Sequence, residues 1–484
     1  MKIITLVSAV AFLVTILPSN ADVSLPHVFG DNMVLQRGQP VPMWGWAEPG
    51  EKVTLEFASQ HKTATTDRTG KWEIRLHALK ASSQPAELKI SGANQLTLTN
   101  ILVGEVWLCS GQSNMEKPIG TRPGQKPTQN YLQELADGNQ PQIRLFCVKP
   151  VKSDEPLKEV KTIWHVCSSN SLEETKFSAV AYFFAREIQK ELNVPIGLVE
   201  SSWGGTRIEP WTPPVGFESV PAVRDLQFYT PPTNKPANTR PMVIYNAMIA
   251  PLVPFAVRGA LWYQGESNLM DDHPDGEVYV SKMEALISGW RKLWAQQHFP
   301  FYYVEIAPFH YFHSTKPRVP YADALPEFWE AQTHALRIPD TGMAVITDLV
   351  DNLNDIHPTR KKEVGQRLAL LALSKTYGEH QVVCEGPSFK SVKFGQGRAV
   401  VSFSHADGGL VAKGGNALTW FTIAGADRKF VEAEAKIDGS KVIVSAAGVS
   451  EPKAVRFAWS EAAQPNLFNA AGLPANPFRT DPPR

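Results

Sequence analysis

Apolar and polar residues alternate in short runs through residues 22–103. Val53-Thr54-Leu55-Glu56-Phe57 and Lys71-Trp72-Glu73-Ile74-Arg75-Leu76 are the clearest cases, and turn formers such as Pro49-Gly50 separate them. This period of two predicts antiparallel strands with one buried face, as in a small sandwich. Across residues 104–384 the pattern changes. Short, wholly apolar runs (Val106-Trp107-Leu108, Ile196-Gly197-Leu198-Val199, Ala260-Leu261-Trp262-Tyr263, Tyr302-Tyr303-Val304, Met343-Ala344-Val345-Ile346) take turns with longer amphipathic ones. One of the latter carries Ala181, Phe184, Ile188 and Leu192 at helical spacing; others span about 277–297 and 359–376. Continuous apolar strands between amphipathic helices predict an α/β domain with a doubly wound, mainly parallel sheet covered on both faces. From residue 385 the alternation returns, in Ala399-Val400-Val401-Ser402-Phe403 and Lys441-Val442-Ile443-Val444. The expected organisation is a β domain over 22–103, an α/β domain over 104–384 and a second antiparallel β domain over 385–484. Irregular stretches over 117–160 and 212–241 interrupt the middle domain and read as binding loops or lids.

The chain length of 484 residues agrees with two to four domains, given roughly 100–200 residues per domain. Charges balance, with 48 Lys plus Arg against 48 Asp plus Glu, so composition gives no basis for nucleic acid or an anionic membrane surface as partner. Residues 1–21 combine Lys2, the apolar stretch Ile3–Leu17 and the small-residue site Ser19-Asn20-Ala21, the features of a secretory signal peptide. An exported protein, periplasmic or extracellular, is expected, with no membrane attachment after cleavage. Export permits disulfides, and of the four cysteines Cys147 and Cys167 are the nearest candidates for a pair; free buried thiols are the alternative. No cysteine or histidine spacing suggests a metal, and no cofactor is called for.

Chemistry gathers at strand ends. Gly111-Gln112-Ser113-Asn114-Met115 follows the first strand of the middle domain, Trp203-Gly204-Gly205-Thr206-Arg207 the second, and Gln264-Gly265-Glu266-Ser267-Asn268 the third; Asp355-Ile356-His357-Pro358 follows the last. In a doubly wound sheet, ligands bind beyond the carboxyl ends of the strands, so the four segments should converge. Together they offer a hydroxyl nucleophile, an imidazole base and backbone or amide N–H groups for an oxyanion, the parts that acyl transfer needs. Met115 stands where the nucleophile elbow of α/β-hydrolases needs glycine, so that fold is not indicated.

These segments resemble the sialate O-acetylesterase group of the SGNH hydrolases, close to carbohydrate acetylesterases that include acetylxylan esterases. The resemblance rests on Gly104–Met115 (GEVWLCSGQSNM), Trp203–Trp211 (WGGTRIEPW), Tyr245–Leu252, Arg258–Asn268 (RGALWYQGESN) and Asn354–Pro358 (NDIHP). It implies an SGNH, flavodoxin-like sheet, with Ser113 as nucleophile and His357 as base. The implied oxyanion hole uses the Ser113 N–H, a glycine N–H from Gly204 or Gly205, and an amide side chain, Gln264 with Asn268 as its rival. The superfamily's acid, three residues before the histidine, is replaced by Asn354; Asp355 or a backbone carbonyl is left to orient the ring. Gln112, Arg207 and Trp211 are the expected substrate contacts, although Arg207 has Glu209 close by as a structural ion partner. The expected reaction removes O-acetyl groups from carbohydrates, 9-O-acetylated sialic acids first among them. Acetylxylan or another polysaccharide is the alternative substrate, and a non-catalytic carbohydrate-binding protein the alternative class.

Overall fold

A computed structural model describes residues 22–231, 237–271, 274–406 and 408–482. The segment read as a signal peptide lies outside the described residues. None of the described helices is long and apolar enough to cross a membrane.

The middle of the chain forms a sheet in the order Thr341–Ala344, Phe301–Val304, Gly259–Tyr263, Gln95–Gly111, Ile196–Ser202, Gln140–Cys147, Trp164–Cys167. All neighbours pair in parallel except the last two, which form an antiparallel edge. Without that edge pair the chain order across the sheet is 2-1-3-4-5, the flavodoxin-like winding. Its switch point falls beside Gln95–Gly111. The sheet strands are buried on both faces, which explains their unbroken apolar runs. One face packs under Ala179–Leu192 and Lys361–Leu371, which also pack on each other; Val278–Leu293 covers the other.

The expected border at 103/104 falls inside a single strand. Gln95–Gly111 is 17 residues long; its first six positions alternate between exposed and half-buried, and the last eleven are all buried. Its first half pairs with Ser82–Ser91 and Val34–Gln36 of the N-terminal β region, its second half with the parallel sheet. The change of sequence pattern at this point therefore marks a change of surroundings, not a break in the chain. One hydrophobic core continues from Val53, Leu55 and Trp72 to Trp262 and Trp290.

The C-terminal region has its own core around Val401, Phe421, Val442 and Phe457, between the sheets Ser388–Gly395/Arg398–Ser404/Lys441–Ser445/Glu434–Asp438 and Val431–Glu432/Phe421–Ala424/Ala454–Phe457/Phe478–Arg479. It joins the α/β domain through polar side chains. Arg479 grips Glu330 at 2.5 and 3.0 Å, Gln464 donates to the Val350 carbonyl at 2.9 Å, and Glu461 accepts the Phe312 and His313 N–H groups at 2.7 and 2.8 Å. All four cysteines are free. Cys147 donates to the Glu200 carboxylate at 3.0 Å and Cys167 sits 3.5 Å from the Gly138 carbonyl, so the pairing alternative gives way to buried thiols.

Candidate active site

Three of the four segments start level with one another. Gly111 is in register with Ser202 on one side and Tyr263 on the other. The Gln112 N–H then bonds to the Tyr263 carbonyl at 2.9 Å, and the Trp203 N–H to the Gly111 carbonyl at 3.1 Å. Gly111 has φ +139°, and a Cβ there would lie 2.2 Å from the Tyr263 carbonyl oxygen, so only glycine allows this exit from the strand. The chain turns at once into the short helix Ser113–Glu116, which leaves the Ser113 N–H without an acceptor among the described residues.

His357 arrives from a segment without regular structure. Its Nε2 lies 3.0 Å from Ser113 Oγ, hydrogen-bonding distance for a hydroxyl that donates to a neutral imidazole. Burial, with the nearby Lys361 and Lys117 ammonium groups, brings its pKa down from 6.5 to about 4; Asp355 opposes that shift. The ring is therefore neutral at neutral pH, the state a general base needs. Asp355 Oδ1 accepts the His357 backbone N–H at 3.0 Å but stands 3.7 Å from Nδ1, an ion-pair distance too long for a hydrogen bond. Asn354 turns to His310 at 3.2 Å, so the superfamily's acid position plays no part at the ring. Asp348 is spent on Arg367, and Asp351 Oδ1 accepts the Thr359 N–H.

Asn114 ties the two halves together. Its Nδ2 donates to Glu266 at 2.5 Å and to the Ile356 carbonyl at 3.0 Å, and its Oδ1 accepts from Lys361 Nζ at 2.6 Å. All three side chains are buried, and burial pushes the Lys361 ammonium far below its usual range. Asn114, Glu266 and Lys361 were not singled out in the sequence. Lys361 opens the helix Lys361–Leu371, four residues after His357, and nothing local in the sequence marked it.

The expected oxyanion donors fare differently. Gly204 packs against the nucleophile, since a Cβ on it would lie 3.2 Å from Ser113 Cβ, but its N–H is held by Glu116 Oε2 at 2.8 Å. Glu116 in turn pairs with Arg122 at 3.0 Å. Gly205 is exposed, at φ +73°, with no acceptor for its N–H among the described residues. Gln264 is wholly buried and its amide hydrogens face Asn268 Oδ1, the Thr206 carbonyl and Gln112 Oε1 at 2.8, 3.1 and 3.2 Å. Asn268 Nδ2 is likewise committed to Glu209 and Asp275. In this arrangement neither amide has a hydrogen to spare for an oxyanion, whereas one of the two, Gln264 or its rival Asn268, was expected to supply it.

Beside Gly205 and Ser267 lies a cavity of about 700 Å³, lined also by Arg207, Leu226, Tyr229 and Met270. Arg207 is engaged by Glu209, Asp271 and Asp275, and Lys282 bonds Glu209 and Asp275 at 2.6–2.7 Å. The structural partner foreseen for Arg207 is thus present, with two more carboxylates. Trp211 is fully buried, its indole N–H on Thr206 Oγ1 at 3.0 Å and its ring edge-on to Trp262. It supports the loop and cannot stack on a sugar. No group of three or more His, Cys, Asp or Glu among the described residues is placed to hold a metal ion.

A family model described as carbohydrate esterase, sialic acid-specific acetylesterase, matches residues 103–374, over half the chain. Human sialate O-acetylesterase is 27% identical over 93% of this chain and 90% of its own. The mouse enzyme of that name is 30% identical over 75% of each. The crystal structure of a carbohydrate acetylesterase from Xanthomonas citri matches with a TM-score of 0.85 and 37% identity, covering 95% of this chain and 100% of that one. Fold and matches together define a carboxylic ester hydrolase, one of the carbohydrate acetylesterases. Within that class the chain belongs to the sialic acid-specific acetylesterase family of carbohydrate esterases.

Proposed function

We propose that this acetylesterase works by two-step acyl transfer through Ser113 and His357. The 3.0 Å approach of Ser113 Oγ to His357 Nε2 carries the reading. His357 takes the hydroxyl proton as Oγ attacks the acetyl carbonyl. The tetrahedral oxyanion is held by N–H groups that include that of Ser113. Its collapse breaks the bond to the sugar oxygen, which leaves with the proton from His357; water, activated by the same ring, then releases acetate. Asp355 acts on the backbone of His357 and as a nearby negative charge. Ser113→Ala should lower acetate release from an activated acetyl ester by at least about 10³-fold while the melting temperature stays within a few degrees. Full activity in the folded variant rejects the mechanism.

For the sugar, the family description and the names of the mammalian relatives support an O-acetylated sialic acid, and the 9-O-acetyl form is the one we propose. One observation favours a second reading, acetylated xylan or another neutral polysaccharide. Arg207, the cation expected to meet a sialate carboxylate, is already shared among three acidic side chains. Parallel kcat/KM measurements on 9-O-acetyl sialic acid and acetylated xylo-oligosaccharides separate the two. We further place the enzyme outside the cytoplasm on the leader-like residues 1–21, so the protein recovered from a periplasmic or secreted fraction should begin at Asp22.

A further inference from the structure

The Gln112 side chain has a feature that Gln264 and Asn268 lack. Its Oε1 faces three donors: the Ser267 N–H at 3.2 Å, Gln264 Nε2 at 3.2 Å and the Gly265 N–H at 3.4 Å. Three donors require an oxygen at that place, so the amide cannot be turned the other way. Its Nε2 meets no acceptor among the described residues. The residue as a whole is only 2% exposed and directly precedes the nucleophile.

The orientation is enforced from a distance. The Glu209 and Asp275 carboxylates, held by Arg207 and Lys282, demand Nδ2 of Asn268, which with the Ile208 N–H at 2.9 Å fixes Asn268 Oδ1 on the opposite side. That oxygen takes a hydrogen from Gln264 Nε2, while Gln264 Oε1 takes the Tyr279 hydroxyl at 2.8 Å. Gln264 Nε2 also faces Gln112 Oε1. A line of amides therefore runs from the buried ion cluster to one open N–H pair next to Ser113, each amide polarising the next.

We infer that Gln112 Nε2 is the side-chain donor of the oxyanion hole, and that the Arg207–Glu209–Asp275–Lys282 cluster, through Asn268 and Gln264, is what aims it. The inference rests on Ser113 being the nucleophile. During attack the carbonyl π electrons move onto oxygen, and the Gln112 N–H hydrogen-bonds the resulting negative charge without giving up its proton. Gln112 is then a catalytic residue, and Asn268 and Gln264 are positioning residues.

Gln112→Glu keeps the Oε1 acceptor and exchanges only the donor for an oxygen. With an activated acetyl ester at neutral pH, kcat should fall by about 100-fold or more while KM changes less than about threefold. The deficit should shrink as the pH is lowered towards 5 and the introduced carboxyl gains a hydrogen to donate. The uncharged Gln112→Met should show the kcat loss without the pH recovery. A residue needed only to hold the Gly265–Ser267 turn would tolerate Gln112→Glu, so a folded variant with kcat within about threefold of wild type overturns the assignment. A third measurement needs no variant. In wild-type protein labelled with ¹⁵N at glutamine side chains, one amide N–H should move downfield when Ser113 carries a phosphonate adduct. No movement of any glutamine side-chain amide overturns the assignment. Loss of activity in Ser113→Ala together with a normal Gln112→Glu would reject this inference alone and leave the nucleophile in place.

Discussion

Ser113 and His357 meet in one cleft but are held in opposite ways. Ser113 stands at the end of a 17-residue strand with a parallel partner on each side, and backbone hydrogen bonds fix the exit of that strand at the switch point. His357 stands in the irregular segment between Thr341–Ala344 and Lys361–Leu371. Side-chain amides and a backbone N–H from distant segments donate to carbonyls of that loop: Asn114 to Ile356, the Gln129 N–H to Thr359, and Gln464 of the C-terminal domain to Val350. A sheet-borne nucleophile is placed by many cooperative backbone bonds, and a loop-borne base by a few separable ones. Perturbing the histidine side should therefore reduce activity in graded steps while the sheet remains folded.

The largest of these steps is expected at Asn114, whose side chain bonds Glu266, the Ile356 carbonyl and Lys361. Asn114→Ala removes the link to Ile356 and leaves Lys361 and Glu266 buried without their shared partner. It should lower kcat/KM by about 100-fold and stability by about 2–3 kcal/mol, read from kinetics and urea unfolding. A variant with normal kinetics and only the stability loss would show that the two halves align without it.

Asp355 should have a smaller effect. In a full triad, replacing the acid by its amide costs about 10⁴-fold. Here Asp355 is 3.7 Å from the ring nitrogen, so Asp355→Asn should cost about tenfold in kcat. A loss near 10⁴-fold would mean that the carboxylate closes on Nδ1 in the substrate complex.

The smallest effect is a displacement along the pH axis. A base acts only when unprotonated, and the His357 pKa is about 4 instead of 6.5. The acid limb of kcat/KM should thus lie near pH 4, with activity constant above it and falling tenfold for each unit below. Lys117 lowers the His357 pKa and Asp355 raises it. Lys117→Met should move the limb up and Asp355→Asn should move it down, each by less than about one unit. Shifts in the same direction would contradict the charge assignment.

The same contrast explains what the sequence revealed. Strand ends are written locally. Val106-Trp107-Leu108 ahead of Gly111-Gln112-Ser113 announces a buried strand and its polar exit, and the helix expected over about 277–297 is found at Val278–Leu293. The fold class was legible for that reason. His357 was legible mainly through the resemblance, because a histidine before a proline in a loop carries no periodic signal. The assignment of Gln264 as donor, with Asn268 as its rival, came from the resemblance and from residue type and position. Whether an amide hydrogen is free depends on Thr206, Glu209 and Asp275, which converge only in three dimensions. The change of pattern at 103/104 comes without a turn, because a strand can cross from a half-exposed sheet into a buried one.

The most direct test asks which hydroxyl His357 activates. A fluorophosphonate ester labels serines made nucleophilic by a neighbouring base, and peptide mass mapping locates the label. The expected result is modification of Ser113 in step with loss of esterase activity, and none in His357→Ala. Label on a different serine as activity disappears, or undiminished labelling of Ser113 in His357→Ala, would contradict the pairing of these two side chains.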